Sequence, residues 1–234
     1  MNRVAESPAT PWLLLAFWLG ATLAPLPASA GLPRPHPVVG ADYGPVWFDY
    51  LADYTQLDPA TNRPENRRYE LSDEQFLGLR LGLRLHRELD FVWSRLYATP
   101  RYRVFINGEE ALPVEDEAAP VRLPELDVRF DLLSFRYRPE PLRLGPLRPI
   151  VSGGLGWLLL SQQGEFRPPG ELPKDYSDSD FGWELGLGLE SQWRWIRGGI
   201  EGRSFHWRWD PEDEFVPART THAWMLSLWL ALQI

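Results

Sequence analysis

Ser204 and His206 are the two side chains of this 234-residue chain whose types and spacing suit nucleophilic chemistry. Two positions apart on an extended segment they share a face, and a serine hydroxyl within reach of an imidazole is the minimum for acyl transfer. Their backbones would lie about 6.5–7 Å apart, so the spacing alone does not join the two groups. A second constellation consists of charges at alternating positions of extended segments: Asp49, Arg80, Arg84, Asp127, Arg129, Asp131, Arg148, Glu184, Glu190 and Arg208. Charges withdrawn from water need partners, and the near balance of signs predicts Arg–carboxylate pairs filling an enclosed space, with a narrow polar channel as the other reading. A third is Asp175, Asp178 and Asp180, weak candidates for a divalent cation. They lack the glycine and closing glutamate of an EF-hand loop, and solvated loop charges are the plainer account. The chain has no cysteine, so thiol chemistry and disulfides are excluded, and no cofactor is expected.

The segments that must position these groups are strands. Trp224, Leu226, Leu228, Leu230, Leu232 and Ile234 occupy every second place of the last stretch, which runs to the final residue. Strict period-two alternation puts one side of a strand in an apolar medium. A strand of that kind at the chain's end suits a membrane barrel, whose last strand closes the ring and carries the signal read by the assembly machinery. Seven further strands are expected. The second, near 75–86, points Leu77, Leu79, Leu81, Leu83 and Leu85 outward and Gly78, Arg80, Gly82 and Arg84 inward. The third (89–97) turns out Leu89, Phe91, Trp93 and Tyr97, the fifth (147–160) Val151, Leu155, Trp157 and Leu159, and the sixth (180–195) Phe181, Trp183, Leu185, Leu187 and Leu189. The first is placed at 44–54, with Val46, Phe48 and Tyr50 opposite Asp49. The fourth (126–137) starts with Leu126, Val128, Phe130 and Leu132 outward and changes phase at a bulge near Leu132–Leu133. The seventh (200–209) turns out Phe205, Trp207 and Trp209, which also sends Glu201 and Arg203 toward lipid and Ser204 and His206 inward.

Short turns are expected near Arg87, Pro139 and Gly198–Gly199, and long loops over about 55–74, 107–120, 161–179 and 210–220. Short periplasmic turns alternating with long extracellular loops is the pattern of transmembrane barrels. Inward glycines (Gly154, Gly156, Gly182, Gly186, Gly188) would relieve crowding in so narrow a ring. The 12 tryptophans suit two interfacial belts: Trp93, Trp193 and Trp195 toward the periplasm, and Trp157, Trp183, Trp207, Trp209 and Trp224 toward the outside.

At the front, Arg3, the apolar run 12–24 and Ala28-Ser29-Ala30 form a signal peptide over 1–30, leaving 31–234 as one barrel domain. The run is shorter than the ~20 residues of a spanning helix. A net charge of −8 argues against nucleic acid as a partner. Outer-membrane lipids, lipopolysaccharide and the assembly machinery are the expected partners. The oligomeric state is left open.

Gly153-Gly154-Leu155-Gly156-Trp157, Gly186-Leu187-Gly188-Leu189 and the alternating last strand resemble the small eight-stranded outer-membrane barrels, a group that includes the OmpA transmembrane domain, OmpX, OmpW and the lipid A-modifying enzymes. The resemblance implies an all-β fold, an eight-stranded antiparallel transmembrane barrel in the outer membrane of a Gram-negative bacterium, with a structural, surface or small-solute role. One departure is the terminal Ile234, where the group usually ends in an aromatic. The deacylases of the group carry a His-x-Ser-Asn motif, whereas Ser204-Phe205-His206 is reversed and lacks the asparagine. The palmitoyltransferases need an inner apolar pocket, which a charged lumen would fill. A lipid A-modifying enzyme is therefore the second reading, and a soluble lipocalin-like barrel, with its apolar side turned inward, the third.

Overall fold

A computed structural model describes residues 35–58, 60–110, 126–142, 145–161, 177–209 and 218–234. The signal segment 1–30 and Asp175 lie outside the described residues. Twelve strands are present: β1 (His36–Phe48), β2 (Ala52–Leu57), β3 (Pro64–Leu71), β4 (Glu74–His86), β5 (Leu89–Ala98), β6 (Tyr102–Ile106), β7 (Glu109–Glu110), β8 (Asp127–Tyr137), β9 (Leu147–Ser161), β10 (Ser177–Trp193), β11 (Ile196–Trp209) and β12 (Arg219–Gln233).

Eight of them close a barrel in the order β1-β12-β11-β10-β9-β8-β5-β4, every pair antiparallel. The ring closes between the first strand and the last, with Val38 opposite Gln233 and Trp47 opposite Trp224. No helix among the described residues is long and apolar enough to cross a membrane. The outer surface is a belt of exposed hydrophobic side chains on every barrel strand, among them Tyr43, Leu79, Tyr97, Tyr137, Leu155, Leu187, Ile200 and Leu228. Water does not tolerate a contiguous apolar surface of that size, and a sheet can meet hydrocarbon only if closure pairs all its backbone groups. A lipocalin-like barrel would have its apolar side within.

Arg87–Glu88 and Arg194–Trp195 make tight turns at one end, where both ends of the barrel segment also lie. The turn from β10 to β11 is not at Gly198–Gly199, which are ladder residues of β11; Arg194 instead takes φ 55°. At the opposite end, β2, β3, β6 and β7 form a separate antiparallel sheet, of which only β3, β7 and the end of β2 fall in stretches expected to be loops. Its turns have local chemical causes. Asp58 accepts from the backbone N–H of Ala60 (2.9 Å) and Thr61 (3.2 Å), and Asn107–Gly108 take φ 52° and 86°, the conformation of a two-residue hairpin turn.

Three strands run in a phase other than the sequence suggests. β1 starts at His36, turns Val46 inward and Trp47 outward, and ends before Asp49. β8 continues without a bulge and points Val128, Phe130 and Leu132 inward. β11 carries Phe205, Trp207 and Trp209 inward, which removes those two tryptophans from the outer belt and puts Glu201 and Arg203 in the lumen. All three shifts have one cause. In the half of the barrel remote from the short turns, the lumen is filled by an apolar cluster including Val46, Phe76, Leu96, Phe130, Leu158, Phe205, Trp207 and Met225. On β8 and β11 the outward side there is polar (Asp127, Arg129 and Asp131; Ser204, His206 and Arg208), so the apolar alternation marks the interior instead of lipid. The cluster continues through Tyr69, Tyr102 and Val104 of the second sheet.

Candidate functional site

Below the apolar plug the lumen holds charge in two layers. In the upper layer Asp42 accepts from Arg80 (Nε, 2.9 Å), Arg203 (2.7 Å) and Ser227 Oγ (2.6 Å). Glu201 lies among Arg136, Arg203 (3.4 Å) and Arg80 (3.5 Å) and accepts from Ser152 Oγ at 2.7 Å. Glu184 accepts from Ser134. In the lower layer Arg138 and Arg197 both bridge Asp90 and Glu190, with Arg197 Nη2 2.8 Å from each. The upper layer counts Arg80, Arg136 and Arg203 against Asp42, Glu184 and Glu201; the lower, Arg138 and Arg197 against Asp90 and Glu190. All ten are buried, and the signs cancel. Trp229 joins the layers, because Arg80 (4.7 Å), Arg136 (4.5 Å) and Arg197 (5.9 Å) all sit over its indole. Stacked guanidiniums keep their in-plane N–H groups for carboxylates while the ring offsets their mutual repulsion.

Small residues make room for the pairs. A Cβ on Gly186 would land on Ser152 Oγ and crowd Arg203, so the hydroxyl that holds Glu201 depends on a bare backbone on the neighbouring strand.

Of the ten charges singled out in the sequence, Arg80, Glu184 and Glu190 belong to this network. Arg84 lies beneath it, held by Gln233 Oε1 (2.8 Å), Gln192 Oε1 (3.3 Å) and the Arg87 carbonyl (3.1 Å), and Arg148 lines the mouth at the short-turn end. The other five lie elsewhere. Asp127, Arg129 and Asp131 are on the outward side of β8, where Asp131 takes Arg95 (2.6 Å) and Arg129 (3.1 Å). Arg208 is exposed on the outside of β11. Asp49 stands past the end of β1, 3.4 Å from Arg219 and 3.5 Å from His222. Seven members are new: Asp42, Asp90, Arg136, Arg138, Arg197, Glu201 and Arg203. Asp90 was legible in the alternation of Leu89 and Phe91 around it. Arg197, Glu201 and Arg203 share one parity, but so do Asp127, Arg129 and Asp131, which face outward, so parity alone does not place them.

Ser204 and His206 are neighbours, with Ser204 Oγ 2.7 Å from His206 Nε2, but on the outward face rather than in the lumen. The imidazole stacks on Trp183 (4.1 Å between centroids) and faces His222 at 5.5 Å. Among the described residues Asp49 reaches His222 and not His206. Asp178 and Asp180 lie on β10, and no cluster among the described residues could hold a metal ion. Trp224, Leu226, Leu228, Leu230, Leu232 and Ile234 all face outward. So do Trp157 and Trp183 at the plugged end and Trp193 and Trp195 at the short turns.

On the second sheet Arg103 grips Glu110 through two bonds of 2.9 and 2.7 Å, and that hydrogen bonding holds the Glu110 carboxyl below the usual carboxylate range. Tyr50 lies between Arg68 (5.0 Å) and Arg219 (3.3 Å), joining this sheet to the barrel rim.

A closed antiparallel ring of eight strands with an outward apolar belt and a filled interior is the fold of the small outer-membrane β-barrels. The chain has that fold. The sequence matches no family model and no curated protein. Among solved structures it is similar to the outer membrane protein OprG from Pseudomonas aeruginosa (TM-score 0.53, 11% identity, 87% of this chain and 98% of that one). It is similar too to Neisserial surface protein A (0.52, 10%, 88% and 100%). A third is the outer membrane protein AlkL, solved in DMPC lipid bilayers (0.51, 16%, 90% and 95%).

Proposed function

We propose that this protein is a closed, non-conducting and non-enzymatic barrel of a Gram-negative outer membrane, exported by its 1–30 signal segment, with the short turns in the periplasm. On this reading its work is structural and surface-directed, done by the sheet β2-β3-β6-β7 held above the lipid. The observation that carries the reading is the filling of the lumen at both levels, by paired charges below and aromatic and aliphatic side chains above. A solute would have to displace Trp207, Phe130 and Phe205 as well as the bridged pairs. Reconstituted in planar bilayers, the protein should give no single-channel currents, and Arg80→Ala should not open a conductance. Steady unitary steps in the native protein would replace this reading with that of a narrow small-solute channel.

The Ser204–His206 contact favours a second reading, acyl transfer on outer-leaflet lipid A. It places a hydroxyl and its base on the side that meets lipid, though without a carboxylate on the imidazole among the described residues. A lipid A mass spectrum that changes on expression, and reverts with Ser204→Ala or His206→Ala, would establish it. An unchanged spectrum removes it.

A further inference from the structure

The short-turn mouth is electrostatically unlike the lumen above it. A cavity of about 400 Å³ opens there, lined by Arg87, Arg138, Pro139, Glu140, Pro141 and Arg148. The lining holds three guanidiniums and one carboxylate. Glu140 is taken by Arg87 at 3.2 Å, and Arg138 is committed to Asp90 and Glu190. Arg148 has no ion pair among the described residues, although its backbone lies opposite Glu190. Arg84, half-buried and outside that lining, contacts two glutamine amides and one carbonyl, all neutral. Deeper in the same layer Arg197, 1% exposed, leaves Nε and Nη1 without a hydrogen-bond partner. The ten lumen charges balance, so the two guanidiniums without a direct ion pair among the described residues, on β4 and β9, stand out, Arg84 opposite Asp90 on the ladder and Arg148 opposite Glu190.

We propose that this mouth is a binding site for a phosphate group, with Arg148 as its principal ligand, Arg84 adding positive charge from outside the lining, and Arg87 closing one side. Half-buried cations in a cavity with low-dielectric walls focus the field at its opening and concentrate anions there. Guanidinium forks match phosphate oxygens two at a time, and a doubly charged tetrahedral anion can use forks from separate strands where a single carboxylate cannot. Pro139 and Pro141 lack N–H groups, so the wall they form leaves recognition to the arginines. The phosphate could belong to a headgroup of the leaflet surrounding the short turns or to a soluble phosphate ester, and the same pair of residues would serve either. The inference rests on the proposed orientation only for which compartment supplies the ligand; the site itself does not depend on it.

The test is a titration of the whole ¹⁵N-labelled barrel in maltoside micelles, which carry no phosphate, with inorganic phosphate, following arginine side-chain resonances. Saturable shifts of Arg148 and Arg84 are expected, weakened at least tenfold in R148Q and in R84Q, only partly weakened in R148K, and unaffected by R129Q at the opposite rim. Where one variant fails to fold, the others still decide. Nanodiscs with and without phosphatidylglycerol assign the source: shifts present before phosphate is added only in the anionic discs mean a headgroup, and shifts needing free phosphate mean a soluble ester. Shifts that do not saturate, or that chloride at equal ionic strength reproduces, overturn the proposal. A conducting barrel that still binds phosphate at Arg148 would overturn the functional reading and leave this one intact.

Discussion

Glu201 is the residue on which the lumen's charge balance can be tested most directly. It is 1% exposed, approached by Arg136, Arg203 and Arg80, and bonded to Ser152 Oγ. Glu201→Gln keeps the volume and the serine bond but leaves three guanidiniums facing two carboxylates in the upper layer. Removing one partner of a buried ion pair costs about 3–5 kcal/mol, because the other charge stays desolvated. The retained bond puts the expected loss near the lower end, about 3 kcal/mol. Arg136→Gln alone should cost a similar amount, since Arg136 also gives up its place 4.5 Å over Trp229. The double variant restores two cations against two anions. It should therefore be more stable than the sum of the single losses predicts, by about 2 kcal/mol or more of coupling. Reversible urea unfolding in phospholipid vesicles, followed by tryptophan fluorescence, measures all four corners of the cycle. Single losses below about 1 kcal/mol, or losses that simply add, would refute the claim that the layer is a coupled unit.

Leu187, 69% exposed on β10, should meet hydrocarbon, so Leu187→Arg is expected to lose about 2–4 kcal/mol near the bilayer midplane in the same assay. Arg194 carries a positive φ of 55° in the β10–β11 turn, and Arg194→Gly should stabilise the barrel by up to about 1 kcal/mol, read as a raised urea midpoint. Gly186→Val should crowd Ser152 and Arg203 and lower the midpoint by the equivalent of about 1–3 kcal/mol, as overpacking does, while Gly202→Val, on the outward side, should cost far less. Asn107→Val at φ 52° should loosen the β6–β7 turn and speed proteolysis there without changing the barrel's midpoint.

The sequence was legible where the two sides of a strand differ in polarity. β4 alternates leucine with glycine and arginine, β10 alternates leucine and tryptophan with glycine and glutamate, and β12 alternates throughout; the outward sides of all three follow from that pattern. It misled where the interior itself is apolar. Val128, Phe130, Leu132, Phe205, Trp207 and Trp209 look like a lipid face and form the plug, and the misread β11 carried Ser204 and His206 inward and Glu201 and Arg203 outward with it. The network was foreseeable as a kind of structure but not by membership, because a one-residue change of phase exchanges every side chain on a strand. The second sheet is not legible from alternation, although Asn107–Gly108 marks its hairpin, because its strands are short and polar and read as connections or as ends of barrel strands.

Tyr69, Tyr102 and Val104 share one continuous interior with Phe130 and Leu158. The second sheet is thus mounted on the barrel rather than tethered to it. A pull applied at its tip is borne by the barrel's own stuffing and not by slack chain, and changes at tip positions such as Thr61 or Asn107 leave that shared interior in place.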